Sequence, residues 1–329
     1  MKAIRIERYG GPEVLLFQDV PIPDPGPGEV LVRVAFAGIN FMDVHTRQGK
    51  YANSRTYPVR IPVTLGMEGA GNIVRVGPGV DAWHAGERVA WCLAWGSYAE
   101  FALVPVTRLA RIPEAVGFDS AAALLFQGST AHYLCNDLGR LRPGRSCLVH
   151  AASGGIGQLL VQLAKRAGAT VFATASTAAK ADIAKACGAD HVLVYGGGQF
   201  ADAVRELTAG AGVDVVFDAV GRSTLRDSFR ATRKRGLVVN FGSVSGSVQD
   251  LDPIELGEAG SLFLTRPRLA DYLADGAMVQ SRADDLFHAL QDGTLRLTIG
   301  SRHTFDDLPQ AHAALEERRQ IGKSVLAAG

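Results

Sequence analysis

Residues 146–165 read Ser-Cys-Leu-Val-His-Ala-Ala-Ser-Gly-Gly-Ile-Gly-Gln-Leu-Leu-Val-Gln-Leu-Ala-Lys, and they limit what this chain can fold into more than any other stretch. An apolar run from Cys147 to Ala151 enters a turn of small residues, Ala152-x-Gly154-x-x-Gly157. A segment of helical period follows, with Leu160, Leu163 and Ala164 on one face. A strand, a tight turn and a helix start in this order wrap the pyrophosphate of a dinucleotide. Small side chains let backbone N–H groups approach the phosphates, Gly157 lets helix and strand pack closely, and the helix N-terminus faces the negative charge. A glycine pattern alone is a weak signal in a chain with 38 glycines. Here the strand before it and the helix after it supply the context.

The chain has 329 residues, room for about two domains at ~150 residues each. It is 47% hydrophobic and 20% charged, the balance of a soluble globular protein with a large core. Its 34 basic and 33 acidic residues leave a net charge of +1, so nothing favours nucleic acid or a membrane surface. The start, Met1-Lys2-Ala3-Ile4-Arg5-Ile6-Glu7, alternates like a strand and lacks a secretory apolar core. No apolar run approaches the ~18–20 residues that span a bilayer. Cys92, Cys135, Cys147 and Cys187 form no C-x-x-C pair and read as reduced, mostly buried thiols of a cytoplasmic protein.

Up to about residue 120 the chain is rich in short, β-branched segments bounded by Gly or Pro, such as Val30–Phe36, Gly71–Val76 and Arg88–Trp91. Pro21, Pro23, Pro25 and Pro27 make a stiff extended connector. A helical segment, Ala121–Leu134, then opens a stretch of alternating elements. Strands are expected at Ser146–Ala151, Thr170–Ala175, His191–Val194, Val213–Asp218 and Gly236–Phe241, with helices near 156–167, 178–187, 199–209 and 222–233. Such alternation with near-continuously apolar strands implies a parallel, doubly wound sheet. Beyond about 267 we expect helices near 268–275 and 281–292, a strand at 294–299, a helix at 308–317, and a final segment, Lys323–Ala327, returning to the N-terminal domain.

Sites of this kind that select NAD carry an Asp or Glu about 20 residues past the glycine turn, which bonds the ribose hydroxyls. Here the second strand ends Ala173-Thr174-Ala175-Ser176-Thr177, with no carboxylate, and Lys180 follows. A hydroxyl and an ammonium accommodate a 2′-phosphate that an acid would repel. The charge logic points to NADPH.

Several motifs then place the whole chain. Gly10-Gly11-Pro12-Glu13-Val14-Leu15, Ala37-Gly38-Ile39-Asn40-Phe41-Met42-Asp43, Gly66-Met67-Glu68-Gly69-Ala70-Gly71, Gly96-Ser97-Tyr98-Ala99-Glu100 and Thr265-Arg266-Pro267-x-Leu269-x-x-Tyr272 resemble the medium-chain dehydrogenase/reductase superfamily. More narrowly, the chain resembles its zinc-independent quinone oxidoreductases, the family that includes zeta-crystallin. The resemblance implies an α/β protein in which a Rossmann domain, residues 123–266, is inserted into a GroES-like, β-rich catalytic domain, residues 1–122 plus 267–329. The cofactor would lie in the cleft between them. It implies nicotinamide-side contacts from Asn40, Phe41, Met42, Asp43 and Tyr133, and pyrophosphate contacts from Gly155 and Ile156 beside Gly154 and Gly157. Ser176, Lys180, Tyr195 and Arg318 would surround the adenosine phosphate. Phe241, Gly242, Ser243, Ser245, Phe263, Leu264 and Thr265 would line the rest. Homodimers through an edge strand of the Rossmann sheet are implied as well.

In zinc-dependent members of the superfamily a Cys, a His and a Cys hold the metal; the matching positions here are Asn40, Met67 and Phe126. An amide, a thioether and a benzene ring do not supply the donors that zinc prefers, so a metal-free protein is expected. His150, on the first Rossmann strand, is expected to be a satisfied core residue. Without a Lewis acid, an electron-poor acceptor is the favourable substrate, because a quinone or an enone delocalises the charge a hydride brings. Asn40, Asp43 and Tyr51 are the candidate catalytic residues. Asn40 would either donate to the developing oxyanion or hold its loop and the cofactor, and Tyr51 or His45 would deliver a proton. An NADPH:quinone oxidoreductase is the leading expectation. A reductase of α,β-unsaturated carbonyls is the alternative, and a non-catalytic NADPH-binding protein the third.

Overall fold

The computed structural model describes residues 1–194, 200–317 and 320–329. They form two compact units: Met1–Ser129 with Tyr272–Gly293 and Leu297–Gly329, and Thr130–Asp271 with Thr294–Arg296.

The first unit is built on a seven-stranded sheet. Six strands run in the order Ile299–His303, Lys323–Ala327, Glu29–Ile39, Glu68–Val76, Arg88–Cys92, Leu109–Arg111, and Phe101–Pro105 pairs with Glu29–Ile39 as well. All neighbours are antiparallel except the first two strands, which are parallel. A smaller sheet joins Leu16–Asp19, Lys2–Ile6 and Val63–Thr64. The alternation that marks these segments as strands also divides their side chains. Val30, Val32 and Val34 pack with Ile73, Val89, Trp91 and Val104. Ala37 and Ile39 join Ile4, Ile6, Leu65, Tyr98 and Leu326, closed over by Leu308, Ala311 and Leu315 of the helix Leu308–Glu316. Each fully buried Val, Leu or Ile among them contributes about 1.5–3 kcal/mol. The final strand returns to the first unit in a fixed register, Ser324 against Ile39 and Val325 against Gly38. That register brings Lys323 level with Asn40.

The second unit is a six-stranded parallel sheet in the order His191–Val194, Thr170–Ala175, Ser146–Val149, Val213–Asp218, Thr232–Asn240, Phe263–Thr265. In chain order this is 3-2-1-4-5-6, so the connections leave in opposite directions from the ends of Ser146–Val149 and Val213–Asp218. That divergence is where a doubly wound sheet opens a ligand crevice. Leu148, Phe172, Val216 and Val238 pack against Phe200, Val204, Leu225 and Phe229. Several elements differ from their sequence expectations: the helix expected at 268–275 is only Leu269–Tyr272, and the one expected at 281–292 already starts at Gly276. The helix Leu225–Ala231 stops before 233, because Arg233–Gly236 form an irregularity inside a strand that starts at Thr232. Thr232 still pairs with Val213, and the register resumes only at Leu237 against Val215. Phe263–Thr265 supplies a sixth strand too short to show a period, and the expected strand at 294–299 is instead Ile299–His303.

Among the described residues no helix is long and apolar enough to cross a membrane. Cys92, Cys135 and Cys147 are buried free thiols and Cys187 is a half-buried one.

Gly71 is fixed by contact. The strand pairing is irregular between Val34 and Phe36, and a Cβ on Gly71 would lie 1.9 Å from the carbonyl oxygen of Arg33. Gly71→Ala should therefore cost about 1–3 kcal/mol of stability in urea denaturation. Gly257→Ala, on a helix with nothing within 4 Å, should be neutral or add up to about 1 kcal/mol.

Candidate active site

The phosphate-binding turn forms in the second unit as the sequence spells it. Ala151 takes a left-handed φ of 52°, which turns the chain out of the strand, and its carbonyl accepts from Gly154 N at 2.9 Å. Gly154 is extended and caps the helix Gly155–Arg166 without a side-chain hydrogen bond; no acid stands in the first turn. The N–H groups of Gly155, Ile156 and Gly157 therefore lack helical partners and point out of a positive helix end. A Cβ on Gly157 would meet Ala151 O at 2.3 Å, whereas one on Gly154 meets only that atom, at 3.2 Å. So Gly157 serves packing, and Gly154 keeps the approach open. This cradle fits a pyrophosphate.

At the end of Thr170–Ala175, Ser176 is exposed and Lys180 half-buried on the helix Ala178–Ala186. Thr177 Oγ1 caps that helix by accepting from Lys180 N at 3.3 Å. Among the described residues no carboxylate pairs with Lys180. Tyr195 and Arg318 lie outside the described residues. Tyr133 is buried at the end of the helix Phe118–Tyr133.

The 241–245 loop is tied at several points. Phe241 N and Gly242 N donate to Asp218 O at 2.9 and 3.2 Å, and a Cβ on Gly242 would lie 2.1 Å from Ala219 O. Ser243 O accepts from Gly246 N at 2.9 Å. Ser245 Oγ donates to Val220 O at 2.9 Å and accepts from Ser223 N at 3.0 Å. The Arg266 guanidinium, part of the 265–272 motif but given no site role from the sequence, donates to Asn240 O and Gly242 O at 2.7 and 2.9 Å. Phe263 is 63% exposed on the edge strand, with Leu264 and Thr265 half-buried. His150 is a core residue: Nδ1 lies 2.8 Å from Thr174 Oγ1 and Nε2 3.1 Å from Ser228 Oγ, which donates on to Asp218.

In the first unit, Asn40 ends a strand and begins the helix Phe41–Arg47. Its backbone N donates to Asp43 Oδ2 at 2.8 Å, the reach-back half of a capping box. Its side chain is held on every side. Nδ2 donates to Glu68 Oε2 at 2.9 Å and Gly38 O at 3.3 Å, and Oδ1 accepts from Lys323 Nζ at 2.6 Å. Lys323 Nζ also bonds Glu68 Oε2 at 2.7 Å, and Glu68 Oε1 accepts from Phe126 N at 2.6 Å. Lys323 is 1% and Glu68 0% exposed. Gly38 makes room for this carboxylate, since a Cβ there would lie 2.2 Å from Glu68 Oε2.

Asp43 turns inward, fully buried, and its Oδ2 also accepts from Tyr98 OH at 2.9 Å. Burial pushes its carboxyl up to about 7, against the pull of the Asn40 N–H, the Tyr98 hydroxyl and the Lys323 charge. Burial and the adjoining Asp43 raise Tyr98 well above its ordinary value. Tyr98 OH lies 3.4 Å from His312 Nε2, and burial, with Arg47 and His303 nearby, pulls His312 down to about 3. Arg47, one helical turn after Asp43, is buried with its guanidinium 2.8 Å from Glu316.

Outward from the turn runs an aromatic ladder. Ring centroids are 6.0 Å apart for Phe41 and His45, 6.2 Å for His45 and Tyr51, and 5.8 Å for Tyr51 and Tyr57. Phe41 is 38% exposed, Met42 buried, and His45 and Tyr51 half-buried. The structure thus gathers Asn40, Phe41, Met42 and Asp43 into one helical turn and links Tyr51 to it through His45. Sequence reasoning gave no role to Glu68, Tyr98, His312 or Lys323. The usable signal was a charge set in a run of small or apolar residues, as in Met67-Glu68-Gly69 and Lys323-Ser324-Val325-Leu326.

Residues 26–114 match the alcohol dehydrogenase GroES-like domain and residues 155–266 the zinc-binding dehydrogenase domain. The chain is 36% identical over 328 residues to a 2-haloacrylate reductase of Burkholderia sp, covering 98% of this chain and 97% of that protein. It is 35% identical over 329 residues to quinone oxidoreductase 1 of Escherichia coli, covering 98% and 99%. The structure of an Escherichia coli quinone oxidoreductase complexed with NADPH superposes with a TM-score of 0.94 at 34% identity, over 99% of this chain and all of that one. A mycobacterial protein complexed with NADPH gives 0.94 at 40% identity, with 99% and 100% covered. Zinc, which one of the domain matches names, does not suit the residues at its place. Lys323 already sets an ammonium against Asn40 Oδ1 and Glu68 Oε2 and would repel a second cation there, and Met67 and Phe126 offer a thioether and a ring.

Two of the buried titratable groups act on stability with opposite signs in the acid range. Asp43 binds its proton more tightly folded than unfolded, so its contribution falls as pH rises from about 4 to 7. His312 binds its proton less tightly folded, so its contribution grows between about pH 3 and 6.5. Asp43→Asn removes the first effect. In urea denaturation at stepped pH, this variant should gain on the parent steadily from pH 4 to 7 and then hold a constant offset. A difference that does not change with pH refutes the assignment.

Proposed function

The chain belongs to the quinone oxidoreductase family of the medium-chain dehydrogenases/reductases, and on that premise we propose that it reduces quinones with NADPH, without a catalytic metal. The observation that carries this reading is its end-to-end likeness, at a TM-score of 0.94, to a quinone oxidoreductase complexed with NADPH. The residues fit that cofactor: the helix end at Gly154–Gly157, without a side-chain cap, suits the pyrophosphate, and Ser176 and Lys180, with no acid in the first turn of the helix Ala178–Ala186, suit a 2′-phosphate.

Bound NADPH supplies a hydride to an electron-poor acceptor. The protein's part is binding, orientation and exclusion of water. In this reading Gly154, Gly155, Ile156 and Gly157 hold the pyrophosphate through their backbone, and Ser176 and Lys180 hold the ribose phosphate. The turn Asn40–Asp43 braces the nicotinamide end. The Asn40 carboxamide is fully engaged by Gly38, Glu68 and Lys323, so it acts as a brace and not as an oxyanion donor. Asp43 holds the same turn from within through Asn40 N. The ladder Phe41–His45–Tyr51–Tyr57 offers an aromatic wall for a planar acceptor, and Tyr51 or His45 delivers the proton that the reduced oxygen needs.

A second acceptor class, α,β-unsaturated carbonyls, is favoured by the 36% identity to a 2-haloacrylate reductase. Pairing of two copies through the edge strand Phe263–Thr265 is supported by Phe263, a large apolar side chain left 63% exposed. Four free thiols suit a cytoplasmic protein.

Lys180→Glu should weaken NADPH far more than NADH in fluorescence titrations, by about tenfold or more, as a charge-assisted contact becomes a repulsion. Equal losses for both nucleotides reject the phosphate role. Initial rates over matched quinone and enone panels should show kcat/KM highest for quinones. Higher values for enones would select the second class, and no NADPH oxidation with either would leave nucleotide binding alone.

A further inference from the structure

Two charged side chains in the first unit have no part in the chemistry just described, yet both are as buried as any leucine. Lys323 and Glu68 are separated by 255 positions and meet at 2.7 Å, 1% and 0% exposed. Stability alone is a poor reason for such a pair. Desolvating two charges costs about as much as their attraction returns, and apolar residues of similar volume often do as well or better. The pair also reaches a third residue. Lys323 Nζ donates to Asn40 Oδ1 at 2.6 Å, and Asn40 Nδ2 donates to Glu68 Oε2 at 2.9 Å, closing a ring of three hydrogen bonds.

That ring allows the carboxamide one orientation. Turned over, it would set its N–H groups against an ammonium and its oxygen against a carboxylate. The ring is anchored from three strands: Lys323 heads the last, Glu68 heads the fourth of the sheet order, and Asn40 follows the end of Glu29–Ile39. Glu68 Oε1 is pinned separately by Phe126 N at 2.6 Å. What the ring fixes is the N-cap residue of the helix that carries Phe41, Met42 and Asp43.

We propose that Lys323 and Glu68 are positioning residues for hydride transfer: locked to each other, they set the Asn40 carboxamide and so hold the 40–43 turn in the posture the nicotinamide end of NADPH requires. This rests on the reading that the turn braces the nicotinamide. Neither residue touches substrate in this account; both act through Asn40.

The test compares NADPH with adenosine 2′,5′-bisphosphate, which carries the phosphorylated adenosine end and no nicotinamide. The full-length parent, Lys323→Met/Glu68→Gln, Asn40→Ala and the triple variant are titrated calorimetrically with both ligands. Urea denaturation and the kinetic isotope effect with 4-deuterated NADPH are measured beside them. The double variant leaves no buried charge unpaired, so it should unfold near the parent's midpoint. It should bind the bisphosphate with unchanged affinity but lose about tenfold or more of the extra affinity that NADPH shows over it. Its kcat should fall while the isotope effect rises. Asn40→Ala should reproduce these losses, and the triple variant should add little to them, because the pair acts through Asn40. An unchanged NADPH advantage and unchanged kcat in the double variant, or losses that add fully in the triple, overturn the proposal. If the double variant does not fold, Asn40→Ala decides: an intact NADPH advantage there overturns the proposal, and its loss supports it. A parent that binds NADPH no better than the bisphosphate refutes the underlying reading instead, and that is seen before any variant is made.

Discussion

An ammonium buried between a carboxylate and an amide sets the terms for the first unit. Removing either charge alone would strand the other away from water, at a cost of about 3–5 kcal/mol, so Lys323 and Glu68 stand or fall together. Their meeting makes demands on parts of the chain far apart in sequence. The last strand has to return beside Glu29–Ile39 in one register, with Ser324 opposite Ile39. Gly38 has to lack a side chain, because the Glu68 carboxylate fills the space. The residue at 40 has to offer both a donor and an acceptor on one short stem. Asparagine does so, and aspartate, isosteric but acceptor-only when ionised, does not.

The second unit solves a different electrostatic problem. Its helix Gly155–Arg166 starts on a residue with no side-chain cap, preceded by a left-handed alanine. A bare positive helix end is costly to leave without partners and useful where an anion binds. Around it, the strand ends are tied through buried polar links: Thr174 to His150, His150 to Ser228, and Ser228 and Thr224 to Asp218, which also accepts from Val220 N and Gly221 N. Burial drives His150 below its usual range, so it serves these links as a neutral ring. Each unit thus presents one prepared surface, an anion cradle in one and a braced aromatic turn in the other.

Much of this was legible from local pattern. The stretch 146–165 declared strand, turn and helix because periodicity and glycine spacing act within twenty residues, and Ser176 stood where an acid would otherwise stand. The turn 40–43 was picked out by resemblance, as were the contacts of Gly155 and Ile156, whereas Gly154 and Gly157 stood out by their spacing alone. What the sequence hid was whatever depends on distant pairing. Nothing near Lys323 announces Glu68, and Tyr98 meets Asp43 and His312 only because three separate elements pack together. For the same reason the sequence left Asn40 open between an oxyanion donor and a loop-holding amide, since its partners Glu68 and Lys323 lie 28 and 283 positions away. Short or irregular elements were lost too. The irregularity at 233–236 has the polar composition of a helix end, and Phe263–Thr265 is too brief to show a period.

A crystal structure of the protein soaked with NADPH would show whether the buried Lys323–Glu68–Asn40 ring holds the turn against the nicotinamide. The nicotinamide ring is expected against residues 40–43, with Lys323 Nζ still within hydrogen-bond reach of both Asn40 Oδ1 and Glu68. A carboxamide swung away from Lys323 toward the ligand, or a ring bound out of reach of that turn, would contradict it.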